Sequence, residues 1–336
     1  MTANIKDVAR LAGVSVSTVS RALGKGPVSA EVRRQVEAAV KATGYRPNLS
    51  ARRLRSQRSQ TIGLIVADIR NPFFTAVSRA VEDAAYRAGM RVILCNTGED
   101  PEREALYMRL MQEERVTGLI FAPTRATIGG LRAQDFDYPV VLIDRAAASG
   151  EFDTVVLDNR GASARLVDHL VERGYRRIGG LFGSTSTTGI EREAGYVAGM
   201  SAHGLIPDAR MIAPLAPAAE DAALAWLAEA ERPEAIIVSN GLFLLGLFRA
   251  ARRLGLSIPR ELAIAGFDNE AWTDLVEPGL TVIEQPVETF GREAMALLFQ
   301  RLKTPTAPTR TVMLSGTLIE RASTHALTRA RFKEPL

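Results

Sequence analysis

The feature that most restricts the fold is a regular alternation, from Thr61 onward, of short apolar segments with longer segments of helical periodicity. Short continuous apolar segments are typical of strands that are buried on both faces. We predict strands at Thr61–Ala67, Arg91–Asn96, Thr117–Ala122, Val140–Asp144, Thr154–Leu157, Arg177–Phe182, Ala235–Ser239, Leu262–Phe267 and Thr281–Glu284. We predict intervening helices at Phe73–Ala88, Glu102–Glu114, Gly161–Arg173, Gly241–Leu254 and Val287–Leu302. This alternation predicts an α/β fold with parallel sheets that helices cover on both faces.

The number of strand–helix units is too large for a single sheet of ordinary size. We therefore expect two Rossmann-like lobes, with a ligand in the cleft at the strand ends. A chain of 336 residues is long enough for such an arrangement and for a further small domain. Two segments, Pro207–Ala219 and Thr304–Pro308, are predicted to be surface loops.

The first 45 residues follow a different pattern, which predicts three short helices. A side chain suited to capping precedes each helix, namely Asn4, Ser15 and Ser29. Gly13 permits a tight turn between the first two helices, and Gly44 ends the third. Two short helices joined by a tight turn and supported by a third helix form a helix–turn–helix arrangement.

Charge is distributed unevenly between this segment and the rest of the chain. Residues 1–60 contain twelve basic and three acidic side chains, a net charge of +9, whereas the remainder has 30 basic and 35 acidic side chains, a net charge of −5. A solvated charged surface without a function would scatter its charge. A basic N-terminal domain on an acidic body instead indicates a polyanionic partner, and nucleic acid fits best.

The second predicted helix, from Val16 to Leu23, has the properties of a DNA recognition helix. Its early exposed side chains must be small or polar to reach base edges, as Val16, Ser17 and Thr18 are, and Arg21 lies one turn further on. An arginine can donate two hydrogen bonds to guanine, while Ser15 and Ser20 suit phosphate contacts. The alternative is a small helical pair without a role in DNA binding.

Several other classes of protein are disfavoured by what the sequence lacks. Cys95 is the single cysteine, and the three histidines are far apart, so we expect neither disulfides nor a zinc site. The chain has no apolar segment of membrane-spanning length and no apolar signal core, so we expect a soluble cytoplasmic protein. No nucleophile elbow, P-loop or dinucleotide fingerprint is present, so we expect no enzymatic activity and no cofactor.

The N-terminal stretch IKDVARLAGVSVSTVSRAL, with the following Gly44-Tyr45-Arg46-Pro47-Asn48, closely resembles the DNA-binding domain of the LacI/GalR family of bacterial transcription regulators. The resemblance covers nearly the whole chain. It continues through Asn71-Pro72-Phe73-Phe74, Gly118-Leu119-Ile120, Asp144-Arg145, Gly266-Phe267-Asp268 and Gln285-Pro286. It implies a helix–turn–helix domain joined to a two-lobed effector domain that is similar to periplasmic binding proteins.

The segment that follows the third predicted helix is short, basic and contains one large apolar residue, Leu54. It is too short to be a stable helix alone, so it could fold only against a partner. The resemblance implies a hinge helix that orders on operator DNA, where Asn48, Ala51, Arg52 and Leu54 match DNA-contacting positions. Leu54 would act as a wedge between base pairs in the minor groove. The alternative is a flexible tether whose Leu54 packs on the body.

The resemblance also implies an effector site, because scattered polar and aromatic residues match sugar-contacting positions of the family. They are Asn71, Phe73, Phe74, Asp144, Arg145, Arg192, Asn240, Asp268 and Gln285. Carboxylates, guanidinium groups and amides suit sugar hydroxyls, and aromatic faces suit the apolar face of a sugar ring. Taken singly, Phe74 could be a core residue, Asp144 a cap and Arg145 part of a surface ion pair. Gly241 departs from the family, which often has Asp there, and this weakens any assignment of hexose specificity.

Together these observations predict a repressor that binds a pseudo-palindromic operator as a homodimer and responds to a small sugar or sugar acid. The expected divisions are a DNA-binding domain at 1–47, a hinge at 48–59 and an effector-binding and dimerisation domain at 60–336. Within the last, the N-lobe covers about 60–158 plus 286–317, and the C-lobe about 159–285 plus 318–328. The tail after Arg321 has no apolar heptads, which favours a dimer over a tetramer. The alternative is a sugar-binding or sugar-processing protein with a fused basic domain.

Overall fold

A computed structural model describes residues 4–24, 26–45 and 59–325 of the chain. These residues fall into two compact units, the first ending at Ser59 and the second beginning at Gln60. Each unit has its own hydrophobic core. None of the helices in these ranges is both long and apolar enough to cross a membrane.

The first unit contains the three predicted helices, α1 (Ile5–Leu11), α2 (Val16–Leu23) and α3 (Ala30–Thr43). All three predicted caps are confirmed. The Asn4 side chain accepts a hydrogen bond from the backbone N–H of Lys6 at 2.8 Å, and the Ser15 hydroxyl accepts one from that of Thr18 at 3.1 Å. Ser29 caps α3 in the same way. These bonds satisfy backbone donors that a helix leaves free at its N-terminus.

Both glycines that the sequence predicts at turns of the first unit adopt the left-handed conformation. Gly13 and Gly44 each have φ of +64°, a conformation that most residues with a Cβ atom adopt only with strain. The three helices pack through the fully buried side chains of Val8, Val19 and Val36. One residue from each helix thus forms the centre of this small core.

Arg33 of α3 has a structural role in the first unit. Its guanidinium group donates hydrogen bonds to the backbone carbonyls of Ala22, Gly24 and Gly26, the first at 2.6 Å. This one side chain therefore satisfies carbonyl groups at the end of α2 and in the segment that follows it. Arg33 contributes to the positive charge of the unit, but its hydrogen bonds are committed to holding the turn.

The second unit contains two six-stranded sheets. The first sheet has the order β11-β5-β4-β3-β1-β2, and all of its strand pairs are parallel. The bounds are β1 (Thr61–Val66), β2 (Arg91–Asn96), β3 (Gly118–Phe121), β4 (Val140–Ile143), β5 (Asp153–Leu157) and β11 (Thr311–Leu314). Leu64 of β1 is aligned with Leu94 on one side and with Ile120 on the other.

The second sheet has the order β12-β10-β9-β8-β6-β7 and is parallel except for the β10–β12 pair. Its strands are β6 (Ile178–Gly183), β7 (Asp208–Ile212), β8 (Ala235–Val238), β9 (Ala263–Phe267), β10 (Thr281–Glu284) and β12 (Thr317–Ile319). The chain passes between the two sheets three times, after β5, after β10 and after β11. The α/β fold class with two parallel-rich sheets is confirmed.

Helices cover both faces of the two sheets. They are α4 (Pro72–Arg87), α5 (Pro101–Glu113), α6 (Arg125–Ile128), α7 (Asn159–Glu172), α8 (Thr187–Ala202), α9 (Ala216–Leu227), α10 (Gly241–Arg253), α11 (Ala271–Leu275) and α12 (Val287–Lys303). Successive residues of β1 point to opposite faces of the sheet and enter different apolar clusters. Ile65 packs in the cluster that contains Met111, and Leu64 packs in the one that contains Phe290. This two-sided burial explains the continuous apolar segments of the central strands.

The prediction of a surface loop over Pro207–Ala219 is wrong. The segment contains the whole of β7 and the start of α9. β7 is an edge strand with exposed or half-buried side chains, so it lacks the apolar run of a central strand. The start of α9 is rich in alanine, whose small side chains give a weak periodic signal. By contrast, Thr304–Pro308 lies outside the helices and strands, as expected.

Gly195 tests how closely the helices of the second unit pack. A Cβ atom added at Gly195 in α8 would lie 2.3 Å from the backbone oxygen of Arg160 in α7. We expect Gly195→Ala to lower the melting temperature by several degrees, since overpacking costs about 1–3 kcal/mol. The control is Gly129→Ala, because an added Cβ there has no heavy atom within 4 Å. Equal thermal unfolding curves for both variants and the parent protein would contradict this close approach.

Candidate functional site

A cleft with about 580 Å³ of space free of protein atoms, part of which is open to solvent, lies between the ends of the two sheets. All nine residues predicted to bind an effector line it: Asn71, Phe73, Phe74, Asp144, Arg145, Arg192, Asn240, Asp268 and Gln285. Most of them follow the carboxyl end of a parallel strand. This is the position at which open α/β sheets bind ligands. The structure therefore brings together residues that are more than 200 positions apart in the sequence.

Asp144 and Asp268 occupy equivalent positions in the two sheets. Asp144 directly follows β4 and Asp268 directly follows β9, and their φ angles are +68° and +76°. The backbone N–H of Asp144 donates to the carbonyl of Val155 at 3.0 Å, and that of Asp268 donates to the carbonyl of Ile283 at 2.9 Å. Asp tolerates this left-handed conformation better than most residues do. Each turn thereby directs a buried carboxylate into the cavity lining.

Arg145 is held by a buried ion pair, in contrast to the surface ion pair considered from the sequence. Its side chain donates to Glu99 at 2.9 Å, to the carbonyl of Pro123 at 2.6 Å and to Asp144 at 3.3 Å. A second hydrogen bond joins the guanidinium group to Glu99. Burial alone would lower the pKa of Arg145, but the bonds to Glu99 and the charge of Asp144 outweigh it and raise the pKa.

Arg192 is equally buried, but no carboxylate forms an ion pair with it among the described residues. Its Nε donates to Asn159 at 2.8 Å, and Nη1 donates to the carbonyl of Ser239. The guanidinium carbon lies 3.9 Å above the centre of the Phe267 ring. Burial lowers the pKa of Arg192, and the more distant charges of Asp268 and Asp144 only partly oppose this. A group rich in acceptors in the cavity would complete its hydrogen bonding.

Asp268 and Gln285 are joined by a hydrogen bond that leaves one acceptor free. Gln285 Nε2 donates to Asp268 Oδ1 at 2.6 Å, and the backbone N–H of Gly241 donates to Asp268 Oδ2 at 2.9 Å. Gln285 is 6% exposed, and its Oε1 is buried without a hydrogen-bond partner. A buried acceptor of this kind is costly unless a ligand supplies a donor.

The two asparagines of the site also act as helix caps. Asn71 accepts from the N–H of Phe73 at 3.0 Å, and Asn240 accepts from the N–H of Phe243 at 2.9 Å. Their amide oxygens are therefore engaged, and each amide group is fixed at the start of a helix. Phe73 and Phe74 are both buried, with ring centres 5.0 Å apart, and both line the cavity. Phe74 is consequently a core residue and a cavity residue at once.

Five polar residues of the cavity lining were not predicted from the sequence: Asp68, Glu99, Ser186, Thr188 and Ser239. Thr188 donates to Asp144 at 3.1 Å across the cleft. Each of the five lies shortly after β1, β2, β6 or β8, so position after a buried strand is a signal that could have found them. No group of three or more His, Cys, Asp or Glu in the described chain is arranged to hold a metal ion.

The predicted DNA-contacting residues of the first unit lie at the start and on the exposed side of α2. Val16, Ser17 and Arg21 are exposed, and Arg21 Nε donates to the carbonyl of Ser17 at 3.4 Å. Thr18 and Ser20 are half-buried. The hydroxyl of Ser15 caps the helix and contacts that of Thr18 at 2.8 Å. Asn48, Ala51, Arg52 and Leu54 lie outside the described residues.

Comparison with known proteins gives consistent matches to both units. Residues 4–48 match the model of bacterial regulatory proteins of the lacI family, and residues 167–324 match the periplasmic binding protein-like domain. The HTH-type transcriptional regulator KdgR of Bacillus subtilis is 34% identical over 329 residues, which are 95% of this chain and 97% of KdgR.

Two solved structures resemble the fold over most of their own length. The lac repressor dimer bound to operator and the anti-inducer ONPF has a TM-score of 0.86 and 24% identity, and the match covers 97% of this chain and 100% of that one. A periplasmic binding protein/LacI transcriptional regulator from Alkaliphilus metalliredigens, complexed with D-xylulofuranose, has a TM-score of 0.71 and 28% identity. That match covers 79% of this chain and 98% of the other.

Glu99→Gln tests the dependence of the site on the Arg145 ion pair. The substitution retains the size of the side chain but removes the charge that offsets the burial of Arg145, so we expect a loss of about 1–3 kcal/mol of stability. The control is Glu151→Gln, whose carboxylate lies 3.9 Å from Arg132 on the surface and should matter little. Urea unfolding measures both. Identical midpoints for the two variants would show that Arg145 does not need Glu99.

Proposed function

Since this chain belongs to the LacI family of bacterial regulatory proteins, we propose that it is a homodimeric repressor controlled by a small sugar or sugar acid. The effector would bind in the cavity between the two sheets and change the affinity for operator DNA. The observation that carries this proposal is the convergence of nine predicted effector residues on one cavity. The expected divisions at 47, 59 and within 60–336 form part of the same proposal.

DNA recognition is assigned to α2 and to the basic segment after α3. Ser17 and Arg21 are exposed and polar, so they can reach base edges, with Arg21 suited to guanine. Val16 offers an apolar contact to a thymine methyl group. Ser15, Thr18 and Ser20 are assigned to positioning on the phosphates. A two-fold dimer requires two matching half-sites, so the operator is a pseudo-palindrome.

The hinge assignment rests on the sequence of residues 48–59. Asn48, Ala51 and Arg52 would contact DNA, and Leu54 would enter the minor groove as a wedge. An apolar wedge unstacks one base step and bends the duplex, while neighbouring arginines remain on the phosphates. Such a helix would form only on operator, so any change that separates the two hinges of a dimer would weaken specific binding.

The chemistry of the cavity favours a polyhydroxylated ligand. Asp144 and Asp268 present acceptors, Arg192 presents donors, and Phe73 and Phe74 supply apolar ring surface. Sugar hydroxyls both donate and accept, so they can satisfy both kinds of group. The regulator from Alkaliphilus metalliredigens, which binds D-xylulofuranose, supports the same ligand class. A sugar acid would add a carboxylate, for which Arg192 has no competing ion-pair partner among the described residues.

The switch is a population shift between an open and a closed arrangement of the lobes. An effector that contacts both lobes binds the closed arrangement better, and a difference of a few kcal/mol is sufficient to change the populations. Closure would move the dimer contacts of the effector domain and loosen the hinge. The protein would act in the bacterial cytoplasm on the nucleoid. The relatives are transcription regulators, which does not favour the sugar-processing alternative.

The salt dependence of DNA binding tests whether both basic N-terminal domains of the proposed dimer contact DNA. Two basic domains would neutralise many phosphates, so the logarithm of affinity should fall with the logarithm of salt concentration with a slope of about −5 to −9 for roughly 6–10 contacts. The measurement is a filter-binding titration on the duplex that the full chain selects from a random library. A slope of about −1 would contradict a dimer that binds DNA through both of its basic domains.

Substitutions in the cavity should separate sensing from DNA binding. Asp144→Asn keeps a residue that tolerates positive φ. It removes the negative charge of a carboxylate that is proposed to accept hydrogen bonds from sugar hydroxyls. Arg192→Lys keeps the charge but loses the fork of donors. We expect both variants to bind operator normally and to lose at least about tenfold in effector affinity.

The assay is a gel shift on the selected duplex with and without each sugar of a screened panel, together with calorimetry. Asp135→Asn, an exposed position, is the matched control and should respond as the parent protein does. Unchanged sugar affinity in both cavity variants would show that the effector binds elsewhere.

A further inference from the structure

Asn159 lies at the first connection between the two sheets and contacts the cleft arginine Arg192 from behind the lining of the cleft. β5 ends at Leu157, and Asn159 is the first residue of α7. It is buried, and it is not one of the residues that line the cleft. The residue before it is fixed, because the backbone N–H of Asp158 donates to the carbonyl of Leu314 at 2.8 Å. The side chain of Asn159 therefore extends from a well-defined point of the backbone.

The amide group of Asn159 joins a cation to an anion. Its Oδ1 accepts from Arg192 Nε at 2.8 Å, and its Nδ2 donates to Glu191 Oε2 at 2.8 Å. A guanidinium group only donates and a carboxylate only accepts, so the amide oxygen must face Arg192 and the amide nitrogen must face Glu191. Both hydrogen bonds involve a charged group, which makes them stronger than bonds between neutral groups.

An amide is the one group of this size that can make both bonds. A carboxylate of the same shape would form an ion pair with Arg192, but it would face Glu191 with a like charge. Burial lowers the pKa of Arg192, and the charges of Asp268, Asp144 and Glu191 partly oppose this. Glu191 thus offsets part of the cost of burying the cation through the amide, without a direct ion pair.

Three contacts fix the plane of the Arg192 guanidinium group. Nε is bound to Asn159, Nη1 donates to the carbonyl of Ser239, and the guanidinium carbon lies 3.9 Å above the centre of the Phe267 ring. In the part of the chain that the structure describes, Nη2 has no acceptor. The donors of Nη2 are consequently the ones that remain for a molecule in the cleft.

We propose that Asn159 is a positioning residue of the effector site. Its amide holds the guanidinium group of Arg192 in one orientation and keeps the charge of Glu191 close without contact. Arg192 thereby presents uncommitted Nη2 donors and an unpaired positive charge to the ligand. This inference rests on the proposed function, in which Arg192 contacts the effector.

The first test is a double-substitution cycle, measured by calorimetry on the full chain with ribose, xylose, glucose, gluconate and glucuronate as probes. Asn159→Ala should weaken binding of the probe that the parent protein prefers at least about tenfold, because the guanidinium group loses its fixed orientation. In an Arg192→Lys background the same substitution should cost less than about twofold, because no guanidinium group is left to orient.

Equal losses in the two backgrounds would overturn the positioning role, because an asparagine that only stabilises the fold acts independently of the group at position 192. That result would leave the proposed function intact. Failure of every probe to bind the parent protein would count against both.

The second test exchanges the amide and the carboxylate. Asn159→Asp alone sets two carboxylates against each other and should weaken binding of every probe. Adding Glu191→Gln restores a donor opposite position 159, so affinity for neutral probes should return to within about threefold of the parent's. Affinity for gluconate and glucuronate should stay at least about tenfold lower, because a carboxylate then pairs directly with Arg192. Absence of recovery for a neutral probe, or full recovery for an acidic one, would contradict the proposal.

Asn269 provides a matched control. Its amide also joins an arginine to a glutamate, accepting from Arg321 Nη2 at 2.7 Å and donating to Glu284 Oε1 at 2.8 Å, but it is exposed and does not line the cleft. Asn269→Asp should leave the affinity of every probe within about twofold of the parent's. A loss as large as that of Asn159→Asp would show that the effect is not specific to Arg192.

Discussion

The burial of two guanidinium groups between the sheets, those of Arg145 and Arg192, determines how the rest of the cleft is built. Removing such a charge from water costs several kcal/mol unless other groups replace its hydration. Arg145 is balanced by Glu99 and by the carbonyl of Pro123, which come from the ends of two different strands. Arg192 has the carbonyl of Ser239 and the face of Phe267 instead. Each arginine therefore fixes the positions of the several loops that supply its partners. These loops in turn determine the shape of the cavity.

Much of the cavity between the sheets could be predicted from the sequence because most of its predicted residues follow buried strands. Asp144 and Asp268 come directly after continuous apolar segments, and parallel strands bring their carboxyl ends to the same edge of a sheet. The resemblance to a known family added Arg192, which lies within a helix and carries no strand-end signal. The capping residues Asn4 and Ser15 were equally predictable, since capping depends on a few neighbouring residues.

The parts that escaped prediction depend on contacts that are distant in sequence. Glu99 gives no local sign that it pairs with Arg145, 46 residues further along the chain. A Cβ atom at Gly241 would lie 1.9 Å from Glu270 Oε1, so the position of Glu270 requires a glycine there. The sequence shows that Gly241 departs from the family pattern, but it does not show this contact. β7 was missed because an edge strand has one free side and no need for an apolar run. In each case the residue type follows from a neighbour that the sequence does not identify.

The three passages of the chain between the sheets, after β5, β10 and β11, have a mechanical consequence. Two bodies joined by a single connection could twist, slide and swing apart, and a ligand would spend interaction energy on restraining each of these movements. Three neighbouring connections resist twisting and sliding of the lobes and leave one hinge rotation free. If an effector closes the lobes as proposed, its binding energy would drive this one rotation, and the displacement would be largest at the edges of the lobes far from the connections.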